Sequence, residues 1–215
     1  MVTPDAYLRD PCGAAALAFW KENAARVPEH MRVVHERDFG PSYLAEYDDE
    51  PYFKLLHGLA NIGEPVFPRG FSLRAAELPG DAEALAALLC ACYAESFFTA
   101  EDVLGFAASP AHAPELWLLA FDTAGALCGA ALADYDARLN EGVLEWIQVL
   151  PSYRGRGVGK ALVNVLLRGL RAHGARFATV SGRINEPTRP EALYRACGFT
   201  GGDVWHVLKK KEERL

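Results

Sequence analysis

The sequence contains no long apolar run. None of its stretches approaches the roughly 18–20 consecutive apolar residues that a helix needs to cross a bilayer. The first residues, MVTPD, also lack the basic and apolar segments of a secretory signal peptide. We therefore expect a cytoplasmic protein with no membrane partner.

The cysteines and histidines follow no recognisable metal or disulfide pattern. The five cysteines are an odd number, which argues against a disulfide framework and for a reducing compartment. Cys90 and Cys92 are the only close pair, and on a predicted helix they point to different faces. The six histidines include no His-Glu-x-x-His arrangement. We expect no bound metal.

Acidic residues are missing from one segment of an otherwise acidic chain. Between Glu145 and Glu186 the sequence has none, so this segment carries +7 and the rest carries −13 of the net −6. Nucleic-acid binding normally needs a broader basic face, so a compact anion bound at one place fits better, and no nucleic-acid partner is expected. The alternative, that all seven basic side chains are simply solvated on a helix face, also stays open, and it is the preferred interpretation for Arg168, Arg171 and Arg176. The others are Arg154, Arg156, Lys160 and Arg183.

Three glycines and three of these basic residues lie within LPSYRGRGVGKAL, residues 150–162. A P-loop is excluded because Ala161 takes the place of the magnesium-binding hydroxyl and Arg154 that of the first glycine. The glycine spacing also differs from the dinucleotide fingerprint, which belongs to a first βα unit. What remains is a strand, a glycine loop and a helix N-terminus, whose free N–H groups attract phosphate.

The apolar pattern predicts a mixed α/β fold with an antiparallel first half. Before residue 69 it predicts two helices, Ala14–Arg26 and Glu50–Leu59, and a short strand, Met31–His35. After it we expect strands joined by a hairpin turn at 122–125, and helices beginning at Asp81, at Thr99, at the glycine loop and at a Thr188 capping box. The loop helix connects strands 143–150 and Phe177–Ser181, which predicts parallel pairing, and Val204–Leu208 is the last predicted strand.

Two motifs together resemble the GNAT superfamily of acyl-CoA-dependent N-acyltransferases. The first is Arg154-x-x-Gly157-x-Gly159 after a strand and before an amphipathic helix. The second is a helix that ends Tyr194-x-x-x-Gly198-Phe199. The resemblance covers roughly residues 70–208 and implies a GNAT-like fold with a central parallel β-α-β crossover. We therefore divide the chain into an N-terminal extension, 1–68, packing on the core, and a GNAT acyltransferase domain, 69–215.

The resemblance implies that the glycine loop binds the pyrophosphate of acetyl-CoA. It implies that main-chain groups of Ile147 and Val149 meet the pantetheine arm of this co-substrate, one N–H facing the thioester carbonyl. Pro187 stands where many members have an asparagine, so Asn185, two residues earlier, is the candidate from that loop. The predicted pyrophosphate-binding residues are Arg154, Gly155, Arg156, Gly157, Val158, Gly159 and Lys160.

Acyl transfer to an amine needs a base and an acid. Because a primary amine is protonated at neutral pH, a base must take its proton, and Glu145 is the candidate, directly or through water. Strict strand alternation puts Glu145 on the face of Ile147 and Val149; its alternative role is an ordinary pairing or solvent-facing carboxylate. Tyr194 matches the family's general acid for the leaving thiolate, or else packs a helix on the sheet. Trp146 and Gln148, on the other face, are expected to be structural.

The acceptor is expected to be a small-molecule or peptide amine. Acidic residues in the first helices and the extension favour a cationic amine, or else form an ordinary acidic surface. Two other functions stay open: an acyltransferase that uses another acyl-CoA, and a non-catalytic acyl-CoA-binding regulatory module. A homodimer is compatible with the family. The acidic residues are Glu46, Asp48, Asp49, Glu50, Glu95, Glu101 and Asp102.

Overall fold

The computed structural model describes residues 2–22, 26–93 and 97–211. The chain divides into two compact units. The terminal unit comprises Met1–His57, Thr179–Arg195 and Phe199–Leu215, and the central unit comprises Gly58–Ala178 and Ala196–Gly198. The mixed α/β fold class is confirmed: the strands form an eight-stranded mixed sheet in the order β1-β8-β2-β7-β6-β5-β4-β3. The proposed division of the chain after residue 68 stays a prediction.

The strands and helices occupy the following ranges of the chain. The strands are β1 Met31–His35, β2 Tyr47–His57, β3 Ser72–Ala75, β4 His112–Phe121, β5 Leu127–Asp136, β6 Glu141–Val149, β7 Phe177–Arg183 and β8 Thr200–Lys210. The helices are α1 Pro4–Arg9, α2 Phe19–Glu22, α3 Ala82–Cys92, α4 Ala100–Ala107, α5 Val158–His173 and α6 Pro190–Ala196. Short 3-10 turns cover Glu36–Asp38, Pro41–Ala45 and Pro151–Tyr153.

The terminal unit contains an antiparallel group in which β8 pairs with both β1 and β2. The predicted strand Met31–His35 is confirmed as β1. The helix predicted for Glu50–Leu59 is wrong, because this segment belongs to β2 and lies opposite β8 with Pro51 facing His206. The partner strand β8 is about 150 residues away in the sequence. Its pairing with β2 overrides the helix that the spacing of apolar residues in this segment indicates.

A buried lysine connects the N-terminal segment to β2. Lys54 is 2% exposed, and its ammonium donates to the carbonyls of Ala15, at 2.9 Å, and Leu17, at 2.8 Å. The ammonium also lies 5.1 Å from the ring centre of Tyr7. The helix predicted for Ala14–Arg26 is therefore wrong over its first part: the described helix there is Phe19–Glu22, and the carbonyls before it bind Lys54. Residues 23–25 lie outside the described residues.

The central unit contains an antiparallel meander, in which β3 pairs with β4, β4 with β5 and β5 with β6. Helices α3 and α4 cover a core that includes Leu85, Leu89, Val103 and Trp117. The helix predicted at Thr99 is confirmed, and Thr99 and Asp102 form a capping box. The predicted hairpin turn is also present between β4 and β5, where Asp122 accepts hydrogen bonds from two backbone N–H groups.

Helix α5 follows the glycine loop, as predicted, and buries one apolar face. A Cβ on Gly142 of β6 would lie 2.6 Å from Leu170, so this glycine lets α5 approach the sheet closely. The helix ends at His173, and the C-cap Gly174 has a φ of 103°, which permits the left-handed C-terminal turn. On the other side of α5, Arg168 pairs with Glu64 at 2.5 Å and holds the connector before β3. No helix in the described part of the chain is long and apolar enough to cross a membrane.

Candidate functional site

The glycine loop leaves the N-terminus of α5 open to solvent. Strand β6 ends at Val149 before Pro151, and the loop reverses through Gly155, at φ 74°, and Gly157, at φ 87°. Gly157 is the N-cap of α5 and supplies no capping side chain, so the first N–H groups of the helix keep their hydrogen-bonding capacity. A Cβ at Gly155 or Gly157 would have no atom within 4 Å. The loop is therefore an accessible backbone site for an anion.

Three cationic side chains surround this helix N-terminus without carboxylate partners. Arg154 donates from Nε to the carbonyl of Val149 at 3.0 Å, and Arg156 donates to the carbonyl of Ser152 at 3.0 Å. Lys160 is exposed on the first turn of the helix. Within residues 2–22, 26–93 and 97–211, no carboxylate forms an ion pair with any of the three. Their positive charge is thus available to a ligand.

A tyrosine that the sequence reasoning missed fixes the start of the loop. The Tyr153 hydroxyl donates to Asp122 in the β4–β5 turn at 2.6 Å. This hydrogen bond raises the pKa of Tyr153 and lowers that of the Asp122 carboxyl. The Arg156 guanidinium lies 5.2 Å from the centre of the Tyr153 ring. No local motif marks this pair, because its two members are 31 residues apart.

Glu145 lies at an irregularity of β6. In the pairing with β5, Trp146 lies opposite Leu132 while Leu144 lies opposite Ala133, so Glu145 is an extra residue in a β-bulge. The bulge interrupts the strict alternation expected here, and the place of Glu145 on the face of Ile147 and Val149 stays a prediction. The Glu145 side chain is half-buried. Its role as the base stays a prediction.

Trp146 and Gln148 face helices α3 and α4. The Trp146 indole lies edge-on to Phe98 at 5.2 Å and to Tyr93 at 5.7 Å, and is roughly parallel to Phe106 at 5.9 Å. The Gln148 amide donates to the Tyr93 hydroxyl. This face of β6 is aromatic rather than charged. It agrees with the structural role expected for both β6 residues.

Tyr194 and Asn185 belong to the terminal unit. Tyr194 is 7% exposed, and its ring centre lies 6.1 Å from that of Phe53 and 5.7 Å from that of Phe199. Asn185 is exposed in the turn after β7. The capping box predicted with Thr188 as N-cap is wrong. Helix α6 begins at Pro190, and Arg189, with a φ of 52°, separates Thr188 from the helix. The catalytic and cofactor roles of Tyr194 and Asn185 stay predictions.

Several acidic residues that favoured a cationic acceptor have partners within the fold. Asp102 belongs to the Thr99 capping box. Asp49 accepts a hydrogen bond from His206 at 2.9 Å, and Glu50 pairs with Lys209 at 2.8 Å. Glu95 lies outside the described residues. These contacts reduce the acidic charge available to an acceptor.

The described cysteines are free thiols. Burial raises the pKa of the Cys197 thiol to about 11, against the opposing effect of Lys160. Burial also raises the pKa of Cys92, although the nearby Arg154 guanidinium acts in the opposite direction. Among the described residues, no group of three or more His, Cys, Asp or Glu side chains is arranged to hold a metal ion.

The strand, the glycine loop and the helix N-terminus lie in the order that the GNAT resemblance implies. The model of the Acetyltransferase (GNAT) family matches residues 82–199, more than half of the chain. The chain belongs to this family, whose members use an acyl-CoA donor.

Individual relatives are more distant. An acetyltransferase from Sodalis glossinidius (strain morsitans) is 38% identical over 63 residues, which cover 29% of this chain and 42% of the relative. A GCN5-related N-acetyltransferase from Sphaerobacter thermophilus superimposes with a TM-score of 0.71 at 23% identity. The match covers 86% of this chain and 61% of that protein's chain. The chain thus spans less than two thirds of the length of either relative.

A shorter solved structure also shares the fold. It is the ribosomal-protein-S18-alanine N-acetyltransferase from Escherichia coli, with a TM-score of 0.51 and 18% identity. The match covers 67% of this chain and 98% of that enzyme. At this identity the likeness concerns the fold alone.

Proposed function

We propose that this protein is an N-acetyltransferase that moves an acetyl group from acetyl-CoA to a primary amine by direct attack. The observation that carries the proposal is the accessible N-terminus of α5, where Gly155 and Gly157 take positive φ values and no side chain caps the helix. The acceptor is a small molecule or a peptide. Its amine class is supported by the solved GNAT relatives that are named as N-acetyltransferases.

The described residues fit the phosphates of coenzyme A. The N–H groups of residues 155–160 supply hydrogen-bond donors, and Arg154, Arg156 and Lys160 supply charge that no described carboxylate neutralises. A Cβ at either loop glycine would occupy the open space that a phosphate needs. By the family resemblance, main-chain groups of Ile147 and Val149 bind the pantetheine arm, and Asn185 contributes from the turn after β7.

The chemistry divides between two side chains. When bound, acetyl-CoA supplies an activated thioester. Glu145 takes the proton from the attacking amine, which is protonated at neutral pH before it reacts. Tyr194 gives its hydroxyl proton to the departing sulfur, which leaves as the thiol of coenzyme A. The roles of both residues come from the motif match with the family.

The decisive experiment measures free thiol released from acetyl-CoA across a panel of primary amines, with coenzyme A binding measured in parallel by thermal stabilisation. We expect both binding and thiol release with at least one amine. Binding without amine-dependent release from any donor would point to a regulatory acyl-CoA-binding module instead. No stabilisation by coenzyme A would overturn the donor assignment as well.

Tyr194→Phe tests the general acid. The variant keeps the ring between Phe53 and Phe199 and removes the proton donor. We expect kcat to fall about 100-fold, at the lower end of general acid contributions, with little change in KM for acetyl-CoA. Tyr43→Phe is the matched control, because Tyr43 lies in a 3-10 turn of the extension. Equal activity of both variants would remove Tyr194 from the mechanism.

A further inference from the structure

Tyr153 is held in place from three directions within the central unit. Its hydroxyl donates to Asp122 Oδ2 at 2.6 Å. Its ring lies nearly perpendicular to that of Phe71, with the ring centres 6.2 Å apart. Its backbone N–H donates to the Leu150 carbonyl at 2.9 Å, within the 3-10 turn that begins the glycine loop. The ring therefore keeps one position as long as these contacts last.

Asp122, the partner of the Tyr153 hydroxyl, is itself fixed by the turn between β4 and β5. Its other carboxylate oxygen accepts the N–H groups of Ala124 and Ala126, both at 2.9 Å. The hydrogen bond from Tyr153 is the main reason that the pKa of Asp122 lies below its ordinary value, so the carboxyl is ionised at neutral pH. Hydrogen bonds to an ionised acceptor are stronger than those between neutral groups. The turn thus supplies a firm anchor for the ring.

The anchored ring contacts the guanidinium of Arg156. The guanidinium carbon lies 5.2 Å from the centre of the Tyr153 ring, and Nη2 donates to the Ser152 carbonyl at 3.0 Å. Of the five N–H donors of Arg156, this is the one that has an acceptor within the described part of the chain. Arg156 directly precedes Gly157, the N-cap of α5. Its remaining donors therefore lie beside the helix N-terminus and can bind phosphate oxygens.

We propose that Tyr153 is a positioning residue for the donor: anchored by Asp122, its ring holds the Arg156 guanidinium ready for a phosphate of the acyl-CoA. This role rests on the proposed function, since it requires that the glycine loop binds coenzyme A. A free arginine side chain must be ordered when a ligand binds, and this ordering weakens binding. The anchored ring orders Arg156 before the ligand arrives, so Tyr153 strengthens binding through Arg156.

A double-mutant cycle on coenzyme A binding tests this role. Tyr153→Phe keeps the ring beside Phe71 and removes the hydrogen bond to Asp122. We expect the calorimetric Kd for coenzyme A to rise about fivefold, the effect of ordering one long side chain. In the Arg156→Gln background the same change should alter Kd less than twofold, because the cation that Tyr153 positions is gone. In the acetyl transfer reaction, KM for acetyl-CoA should rise by the same factor while kcat stays unchanged.

Arg156→Lys is a second test that does not depend on removing the charge. Lysine keeps the positive charge but lacks the planar guanidinium that lies against the ring. We expect Tyr153→Phe to change Kd less than twofold in this background as well. A fivefold effect in the lysine background would show that Tyr153 does not act through the guanidinium, and would overturn the proposal.

Tyr135→Phe is the matched control. It removes a hydroxyl hydrogen bond of 2.8 Å to Asn140, at the other end of β5. We expect both tyrosine variants to lose similar stability to urea, but only Tyr153→Phe to weaken coenzyme A binding. Equal Kd values for the two variants, or the same effect of Tyr153→Phe with and without Arg156, would overturn the positioning role alone. A native chain that does not bind coenzyme A would overturn the proposed function together with it.

Discussion

Glu145 owes its position to the pairing of β6 with β5. The bulge at this residue interrupts the alternation of the strand just before the segment that leads to the glycine loop. Bulges often redirect a side chain next to an active site. The candidate base is therefore placed by a backbone irregularity, and its neighbours Trp146 and Gln148 remain packed against α3 and α4.

Glu145→Gln tests this residue as the base. The amide keeps the size of the side chain but accepts no proton from the amine. We expect kcat/KM for the amine to fall about 100-fold at neutral pH, and the loss to shrink at higher pH because more of the amine is already deprotonated. Glu115→Gln, on β4, is the control. A pH-independent loss, or none at all, would contradict the role of Glu145 as base.

Gly157 offers a second test at the level of one residue. Gly157→Ala adds a Cβ that points into open space and strains a backbone at φ 87° by about 1–2 kcal/mol. Gly174→Ala, at the other end of α5, imposes similar strain at φ 103°. We expect both variants to lose similar stability to urea, but only Gly157→Ala to raise KM for acetyl-CoA, about tenfold. Equal KM values would show that the loop does not bind the donor.

At the scale of elements, helix α3 begins with an ion pair rather than with a side-chain cap. Asp81 holds the N-cap position, as expected, but its carboxylate makes no capping bond. It pairs through both oxygens with Arg74, at 2.6 and 2.7 Å, and accepts from the Glu77 N–H. Its hydrogen bonds to Arg74 are the main reason that its pKa falls to about 2.

This pair makes the stability of the α3 start depend on pH. Because the pKa of Asp81 is depressed in the folded state, its contribution is complete above about pH 4 and is lost as the pH falls toward 2. We expect Asp81→Asn to reduce the free energy of unfolding by about 1 kcal/mol at pH 7, a value that allows for solvent screening of the pair. The difference from the native chain should vanish near pH 2 in urea titrations.

The elements that the sequence predicts correctly are those fixed by local chemistry. The glycine loop, α5 and the helix that begins after Thr99 depend on neighbouring residues and are confirmed. The helix prediction for Glu50–Leu59 is wrong because the structure of this segment depends on pairing with β8. The residues around Glu50–Leu59 in the sequence carry no information about that distant strand. The sequence also does not predict the bulge at Glu145 or the hydrogen bond between Tyr153 and Asp122, because both depend on residues of another strand or turn.

At the scale of the whole molecule, the distribution of charge is as informative as the fold. The segment between Glu145 and Glu186 carries +7, against −13 elsewhere. The exposed basic residues of the loop attract an anion through solvent, and salt screens such attraction over about 10 Å at 0.1 M ionic strength. The proposed donor, a multiply charged anion, should therefore bind in a salt-dependent way.

Titration of coenzyme A by calorimetry checks this dependence. We expect Kd to rise about fivefold between about 50 and about 300 mM NaCl. Lys160→Gln should weaken binding at low salt and reduce the slope. Arg176→Gln removes the same charge from the same segment beyond the other end of α5, and should leave the slope nearly unchanged. A Kd of the native chain for coenzyme A that does not change with NaCl concentration would contradict binding by these cations.

The burial of Lys54 governs the chemical reactivity of its amine. Its amine is covered by the carbonyls of Ala15 and Leu17 and by the ring of Tyr7, so acylating reagents in solution reach it only when the N-terminal segment detaches from β2. A reagent that acetylates exposed lysines should therefore react more slowly with Lys54. The rate at which Lys54 is acylated thus measures how often the N-terminal segment detaches from β2.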